Sequence, residues 1–312
     1  MIEFSKVSKS YNAGTVILND ISLTVERGEL VILIGPSGCG KSTLLRLVNR
    51  MISPSSGQIL IGGKDSALLD PVELRRGIGY VIQSIGLFPH MTIFENVEVV
   101  PSILGTAKSE RRARAEALLH TVGLEPSVYG TRYPRALSGG QQQRVGIARA
   151  LAADPDVMLM DEPFSAVDPI TRAGLQDEFL RIKREINKTI VFVTHDIDEA
   201  IKIGDRVCVL NAGAVQQFDT PEALLRAPAN DFVASFLGED RELRRLSLMP
   251  VTALMRAGLG AGLGTRAMIS ASASARDALS QLMGAAGREL SVTDDAGNVI
   301  GLITIGDYGR DP

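Results

Sequence analysis

A glycine-rich stretch between an apolar run and a helical pattern constrains the fold of this chain more than any other feature. Residues 35–42 read GPSGCGKS and fit the pattern GxxxxGK(S/T). Residues 31–34 before them are the apolar run VILI, typical of a buried strand, and residues 41–49 begin a helix. Glycines allow successive backbone N–H groups to turn inward around an anion, and the helix N-terminus adds its positive dipole end. The stretch therefore predicts a phosphate-binding loop in an α/β sheet.

The last two residues of this loop carry side chains that would bind the phosphates and the Mg²⁺ of a nucleoside triphosphate. Lys41 is expected to reach the β- and γ-phosphates, and the Ser42 hydroxyl is expected to bind Mg²⁺. The alternative interpretation is a glycine loop that matches the pattern by chance. A chance match would not be expected to have a strand before it and a helix after it. The loop alone does not reveal the class of nucleotide-hydrolysing protein.

A second apolar strand, residues 157–160 (VMLM), ends in two adjacent carboxylates, Asp161 and Glu162. Parallel strands deliver their carboxyl ends to one edge of a sheet, where open α/β sheets bind ligands. Asp161 then suits Mg²⁺ coordination through water, and Glu162 is placed to accept a proton from the attacking water. In isolation the two acids are equally consistent with a surface turn. Beside a phosphate loop they predict a hydrolytic site.

The pentapeptide LSGGQ at residues 137–141 is the most specific signal in the chain. Ser138, with Gln141 three residues later, also forms the pattern of a capping box for the helix that follows. Both interpretations hold together, because the capped N-terminus of a helix is also an anion site.

With these motifs in this order, residues 1 to about 238 resemble the ATPases of ABC transporters. The resemblance implies two subunits paired head to tail, in which the segment 138–141 of one chain closes over ATP held by the 35–43 loop of the other. It also implies that Tyr11 stacks on adenine, that Gln83 senses Mg²⁺ and water, and that His195 contacts the γ-phosphate. Taken alone, Tyr11 is equally a strand-end aromatic, Gln83 an edge polar group and His195 part of a helix start.

The resemblance assigns the whole candidate site. The residues implied to bind ATP are Tyr11, Gly35, Pro36, Ser37, Gly38, Cys39, Gly40, Lys41, Ser42, Thr43, Ser138, Gly139, Gly140, Gln141 and Asp168. Asp168 belongs to the loop 165–168, which is implied to cross the dimer interface. The implied catalytic residues are Lys41, Gln83, Glu162 and His195, and the implied Mg²⁺ ligands are Ser42, Gln83 and Asp161.

The C-terminal segment has a pattern of its own. After a glycine-rich stretch at 258–264 it predicts a helix near 275–283, a strand ending at residue 293, a turn at 294–297 and a strand at 299–304. Residues 298–307 (NVIGLITIGD) resemble the end of a CBS module, whose Thr and Asp commonly contact a nucleotide ribose. A single module is expected to pair with that of the partner subunit. It either binds an adenine-nucleotide regulator or only stabilises the dimer.

These patterns together predict the architecture. Residues 2–25 alternate like antiparallel strands, residues 78–82 and 189–193 are further strands, and residues 85–150 form a helical subdomain. A charged stretch near residue 240 predicts a boundary between domains 1–238 and 241–312. The expected fold class is α/β: a P-loop NTPase ABC cassette with a mostly parallel core sheet, an antiparallel β subdomain and a helical subdomain, followed by a small α+β CBS module.

Three further segments, 69–76 (LDPVELRR), 79–83 (GYVIQ) and 86–92 (GLFPHMT), resemble importers of glycine betaine, carnitine and choline, which are quaternary ammonium osmoprotectants. The resemblance implies an ATPase subunit that works with transmembrane permease subunits and, indirectly, with an extracytoplasmic substrate-binding protein. The alternatives are an importer of amino acids or another small polar solute and, less expected, a soluble ABC ATPase of DNA repair or translation.

Composition bears on the location and on the partners. The net charge of −3, without a Lys/Arg cluster, argues against a nucleic-acid partner and against an electrostatic membrane anchor. No apolar run approaches the ~18 residues of a spanning helix, and two isolated cysteines favour a reducing compartment. Composition therefore favours a cytoplasmic chain, and the resemblance to transporter ATPases implies a peripheral subunit at the cytoplasmic face of the cell membrane.

Overall fold

The computed structural model of the chain describes residues 1–11, 14–83, 86–165, 167–257, 267–284 and 289–309. It divides into two units, Met1–Pro221 and Glu222–Pro312. This division lies before the boundary expected near residue 240, because a change in charge pattern marks a change in composition and not the place where packing divides. The assignment of 1–238 and 241–312 as the two domains stays a prediction.

The elements follow the expected alternation of strands and helices. The strands are β1 (Ile2–Tyr11), β2 (Thr15–Val25), β3 (Leu30–Ile34), β4 (Ser56–Ile61), β5 (Lys64–Asp65), β6 (Ile78–Val81), β7 (Val157–Asp161), β8 (Thr189–Val193), β9 (Arg206–Asn211), β10 (Ala214–Asp219), β11 (Arg256–Ala257), β12 (Ala267–Ser270), β13 (Glu289–Thr293) and β14 (Val299–Thr304). The α-helices are α1 (Lys41–Val48), α2 (Pro71–Arg76), α3 (Ile93–Ile103), α4 (Lys108–Thr121), α5 (Pro126–Tyr129), α6 (Gly139–Leu151), α7 (Pro169–Ile186), α8 (Ile197–Ile203), α9 (Pro221–Arg226), α10 (Asp231–Leu237), α11 (Arg241–Leu248) and α12 (Ala275–Gly284).

A six-stranded sheet in the order β10-β9-β3-β8-β7-β6 forms the centre of the first unit. All its pairings are parallel except that of β9 with β10. Every residue of β3 and of β8 is buried, which explains their continuous apolar sequences, since helices cover both faces of a parallel sheet. Because β3, β7 and β8 run in the same direction, the segments that follow them leave from one edge of the sheet.

The antiparallel sheet predicted for the N-terminal section is confirmed, with strand order β2-β1-β4-β5. The sequence Asn-Ala-Gly at 12–14, between β1 and β2, predicts a turn, and its first two residues lie outside the described residues. Alternate residues of β1, such as Ile2 and Phe4, are buried, and they join one hydrophobic core with Leu33 of β3 and Leu44 of α1. This shared core holds the antiparallel sheet against the phosphate-loop side of the central sheet.

The helical subdomain expected at 85–150 is also observed, since α3, α4, α5 and α6 lie between β6 and β7. The helix α3 begins with a capping box formed by Thr92 and Glu95. The buried Asn96 side chain accepts from the N–H of Phe88 at 2.8 Å and donates to its carbonyl at 3.1 Å. These bonds attach the segment after Gln83 to the start of α3.

The C-terminal unit contains a four-stranded sheet in the order β11-β14-β13-β12. The strands β12 and β13 are parallel, and the other pairings are antiparallel. Leu282 of α12 joins Leu290, Val292 and Ile303 of the sheet in a separate hydrophobic core, so the predicted α+β character is confirmed. The glycine-rich stretch 258–264 lies outside the described residues. None of the helices in the described part of the chain combines the length and hydropathy that a bilayer-spanning segment requires.

Candidate functional site

The phosphate loop joins β3 to α1 and depends on glycine backbone conformations. Gly35, Gly38 and Gly40 have φ values of +150°, +80° and +107°, a region that side-chain-bearing residues rarely adopt. At Gly35 a Cβ atom would also lie only 2.1 Å from the carbonyl oxygen of Leu210. The loop can therefore follow this path only with glycine at that position.

Lys41 is the first residue of α1, and its ammonium group turns back into the loop. Its Nζ donates to the carbonyl oxygens of Gly35 at 2.7 Å and Pro36 at 3.0 Å, and lies 3.8 Å from Sγ of Cys39. The side chain is buried, and the two loop carbonyls hold its ammonium group inside the phosphate loop. Cys39 is itself buried, in agreement with a small packed thiol.

The neighbouring Ser42 contacts the strand end that carries the two acids. Its hydroxyl lies 3.0 Å from Oδ1 of Asp161, the last residue of β7. Burial raises the pKa of Asp161, and the adjacent Glu162 charge raises it further, while the Ser42 hydrogen bond and the charge of Lys41 lower it. A hydroxyl and a carboxylate at this distance are the oxygen donors that Mg²⁺ prefers, and a divalent cation would offset the cost of the buried charge.

Three separate segments meet at Glu162. Nε2 of Gln83 donates to Oε2 of Glu162 at 3.1 Å, and Nδ1 of His195 lies 3.3 Å from the same oxygen. The backbone of Glu162 has φ +46°, and its N–H donates to the carbonyl of Val193 at 2.9 Å. The carboxylate is thus held at the joined ends of β7 and β8, and three predicted catalytic residues lie in contact.

A cavity of about 600 Å³ opens in front of these groups. The residues lining it are Tyr11, Ile17, Ser37, Gly38, Gly40, Lys41, Ser42, Thr43, Glu162 and His195. The Tyr11 ring is partly exposed at its mouth, with Lys9 Nζ 5.1 Å from the ring centre. Ile17 was missed from the sequence, because it lies on β2 in a different sheet. No local signal marks it beyond its place in an alternating strand.

The segment 138–141 and Asp168 are not among the described residues that line this cavity. Ser138 and Gln141 make the predicted capping box of α6, with bonds of 3.0 and 3.3 Å, and both Ser138 and Gly139 are exposed. Asp168 caps α7 by accepting from the N–H of Thr171 at 3.0 Å. Position 166 of the loop 165–168 lies outside the described residues. Within one chain these two motifs form helix starts separate from the Lys41 cavity.

A mostly parallel sheet with a phosphate loop, an adjacent serine–aspartate pair and a glutamate directly after that aspartate defines a phosphate-loop nucleotide-binding protein. The family described as ABC transporter matches residues 18–165. The glycine betaine/carnitine/choline transport ATP-binding protein OpuCA of Bacillus subtilis is 55% identical over 241 residues, which cover 77% of this chain and 63% of that protein. The glycine betaine uptake system ATP-binding protein YehX of Escherichia coli is 48% identical over 257 residues, covering 82% and 83%.

Solved structures agree with this match. A dimeric ATP-binding cassette in a post-hydrolysis state with ADP and Pi has a TM-score of 0.62 and 36% identity, covering 71% of this chain and 99% of that one. The chain belongs to the family of ABC transporter ATP-binding proteins. It is similar to members named for osmoprotectant transport, and it spans about three fifths of the length of several of them.

Proposed function

We propose that this chain is the ATP-hydrolysing subunit of an ABC importer for a quaternary ammonium osmoprotectant. One observation carries the ATPase assignment: Glu162 is held by Gln83 and His195 at a cavity that the Lys41 loop also lines. The similarity to transport proteins named for glycine betaine, carnitine and choline supports the class of cargo.

The residues divide the proposed work between binding and hydrolysis. Lys41 exchanges its loop carbonyl partners for β- and γ-phosphate oxygens, and the N–H groups of the glycine loop surround the same phosphates. Ser42 and Asp161, with Gln83, would hold Mg²⁺, which when bound neutralises charge on the phosphates. Tyr11 at the cavity mouth would stack on adenine.

The hydrolytic step uses the groups around Glu162. This carboxylate accepts the proton of the attacking water, and Gln83, which contacts the same carboxylate, would orient that water. His195 lies 3.3 Å from Glu162 and lines the cavity, where it would stabilise the charge that develops on the γ-phosphate.

A second copy of the chain completes this site in the proposed mechanism. The start of α6, where Ser138 and Gly139 are exposed, presents a capped helix N-terminus that suits the phosphates held by a partner. A related solved cassette forms a dimer with ADP and Pi, which supports the pairing of two copies. The pair would act on transmembrane permease subunits at the cytoplasmic face of the membrane, supplied by an extracytoplasmic substrate-binding protein.

The cargo assignment predicts that the chain, reconstituted with its permease in proteoliposomes, imports labelled glycine betaine when ATP is supplied on the side of this subunit. Uptake should fall to background in the Glu162→Gln variant, because hydrolysis drives the transport cycle. An unlabelled amino acid serves as the competitor control. Hydrolysis without betaine uptake, or uptake of an amino acid instead, would contradict the osmoprotectant assignment and favour an importer of another polar solute.

We also propose that residues 241–312 form a single regulatory CBS module that senses an adenine nucleotide. Asp307 is buried, and its carboxylate accepts hydrogen bonds from the N–H of Thr304 at 2.9 Å and from the Thr304 hydroxyl at 2.7 Å. It also accepts a hydrogen bond from Nε of Arg256 at 2.7 Å. These bonds join the Thr at the end of β14 to the Asp in the turn that follows, the two residues named in the resemblance.

Deletion of residues 241–312 is expected to leave ATP-driven uptake intact and to abolish its response to added AMP or ADP. The physical reason is that the proposed sensor and the ATP site belong to separate units. The measurement is uptake by both forms across a nucleotide and salt titration. An unchanged response after deletion would restrict the module to stabilising the dimer.

A further inference from the structure

One buried carboxylate near the site has no role in the proposed mechanism. Glu199 lies on α8, four residues after His195, and is only 4% exposed. Its Oε1 accepts a hydrogen bond from Nε2 of Gln176 at 3.1 Å, and Gln176 is itself buried on α7. Thr194 lines the same small space as this carboxylate, and its hydroxyl is one of the groups that lower the pKa of Glu199. Glu199 therefore joins α8 to α7 beside the residue that immediately precedes His195.

Thr194 is restrained on several sides. Its N–H donates to the carbonyl of Leu33 at 3.2 Å, and its hydroxyl oxygen accepts from the N–H of Asp196 at 3.0 Å. A hydroxyl has one proton to donate and lone pairs to accept. The Asp196 N–H uses a lone pair of the Thr194 hydroxyl, so the proton of that hydroxyl stays available for donation to Glu199, and the bonds of Thr194 hold the backbone on both sides of His195.

Several charged groups lie near Glu199, but none of them forms an ion pair with its carboxylate among the residues that the structure describes. Glu162, Arg172, His195 and Asp196 line a small space together with Glu199. Arg172 lies 3.5 Å from Asp196 instead. Burial raises the pKa of Glu199, while the bonds from Thr194 and Gln176 lower it. Burying a carboxyl group costs free energy of folding, and its hydrogen bonds offset that cost.

We propose that Glu199 is a positioning residue that acts through Thr194 to hold the His195 imidazole beside Glu162. The Gln176 bond holds Glu199 beside Thr194, and the backbone and hydroxyl bonds of Thr194 fix the turn between β8 and α8. The imidazole leaves from that turn to lie 3.3 Å from the Glu162 carboxylate. The inference rests on the proposed ATPase function and assigns no contact with nucleotide to Glu199.

The test is a set of kinetic measurements on the full chain, following radiolabelled phosphate release so that low rates are resolved. Glu199→Ala is expected to lower kcat about tenfold and to change KM for ATP less than about twofold. The reason is that a misplaced His195 weakens stabilisation of the transition state more than it weakens ATP binding. Glu199→Gln keeps an oxygen acceptor and should recover most of the rate. Asp198→Asn, an exposed carboxylate on the same helix, is the matched control and should behave like the wild type.

A double-mutant cycle separates positioning from general stability. In a His195→Ala background, Glu199→Ala is expected to reduce the rate by less than about twofold, since the group that it positions is gone. A full tenfold loss in that background, or no loss in the single variant, would overturn the proposal. Thr194→Val removes the same bond if Glu199→Ala does not fold, and its effect should also vanish in the His195→Ala background. A wild-type chain that fails to hydrolyse ATP would instead refute the proposed function itself.

Discussion

Replacing Glu162 by Gln is expected to lower the rate of ATP hydrolysis by about 10²–10⁴-fold, the usual contribution of a positioned general base. The amide keeps the shape of the side chain and can still meet Gln83 and His195, but it cannot accept a proton from water. Binding should persist, because Lys41 and the glycine loop are untouched. Steady-state phosphate release and equilibrium binding of a fluorescent ATP analogue measure the two quantities separately.

The same variant should accumulate as a dimer when ATP is present, since the sandwiched nucleotide is no longer consumed. Size-exclusion chromatography with and without ATP detects this change. Glu185→Gln, a half-exposed carboxylate on α7 that pairs with Arg181, is the matched control and should retain both the rate and the oligomeric state. Turnover by Glu162→Gln at the wild-type rate would mean that another group accepts the proton.

Replacing Lys41 by Met is expected to weaken ATP binding by roughly 100-fold, about 3 kcal/mol, the upper range for hydrogen bonds to charged groups. Met preserves the buried aliphatic stem and removes the ammonium group that lies 2.7 Å from the carbonyl oxygen of Gly35. The variant therefore loses the cation that would meet the β- and γ-phosphates, while the packing of α1 is preserved. Isothermal titration with ATP in the presence of Mg²⁺ measures the loss directly.

Lys64→Met provides the control for removing one positive charge, because Lys64 is exposed on β5 of the antiparallel sheet. Its ATP affinity should match that of the wild type. A dissociation constant for Lys41→Met within a few-fold of the wild-type value would show that the ammonium group does not contact phosphate. Thermal unfolding of both variants excludes a loss of folded protein as the cause.

Several features of the site could be predicted because each is signalled within a few residues. The capping box at Ser138 is expected from the sequence and is observed. Asp168 followed by Pro169 is likewise the local pattern of a helix start, and Asp168 caps α7. Ile17, Gln176 and Glu199 could not be found in this way. Each lies on an element that packs against the site from outside the motifs, and its sequence neighbours are those of any buried strand or helix.

The order of motifs and the apolar runs that precede them determined the class of fold, the phosphate loop and the identity of the acids at the end of β7. These depend on local backbone preferences and on strand burial, which are encoded along short stretches. Only the tertiary structure decided that Gln83, 79 residues from Glu162, and His195 both reach one carboxylate oxygen. That contact exists because the hydrophobic core pairs β6, β7 and β8 in parallel, so three distant segments end at the same edge.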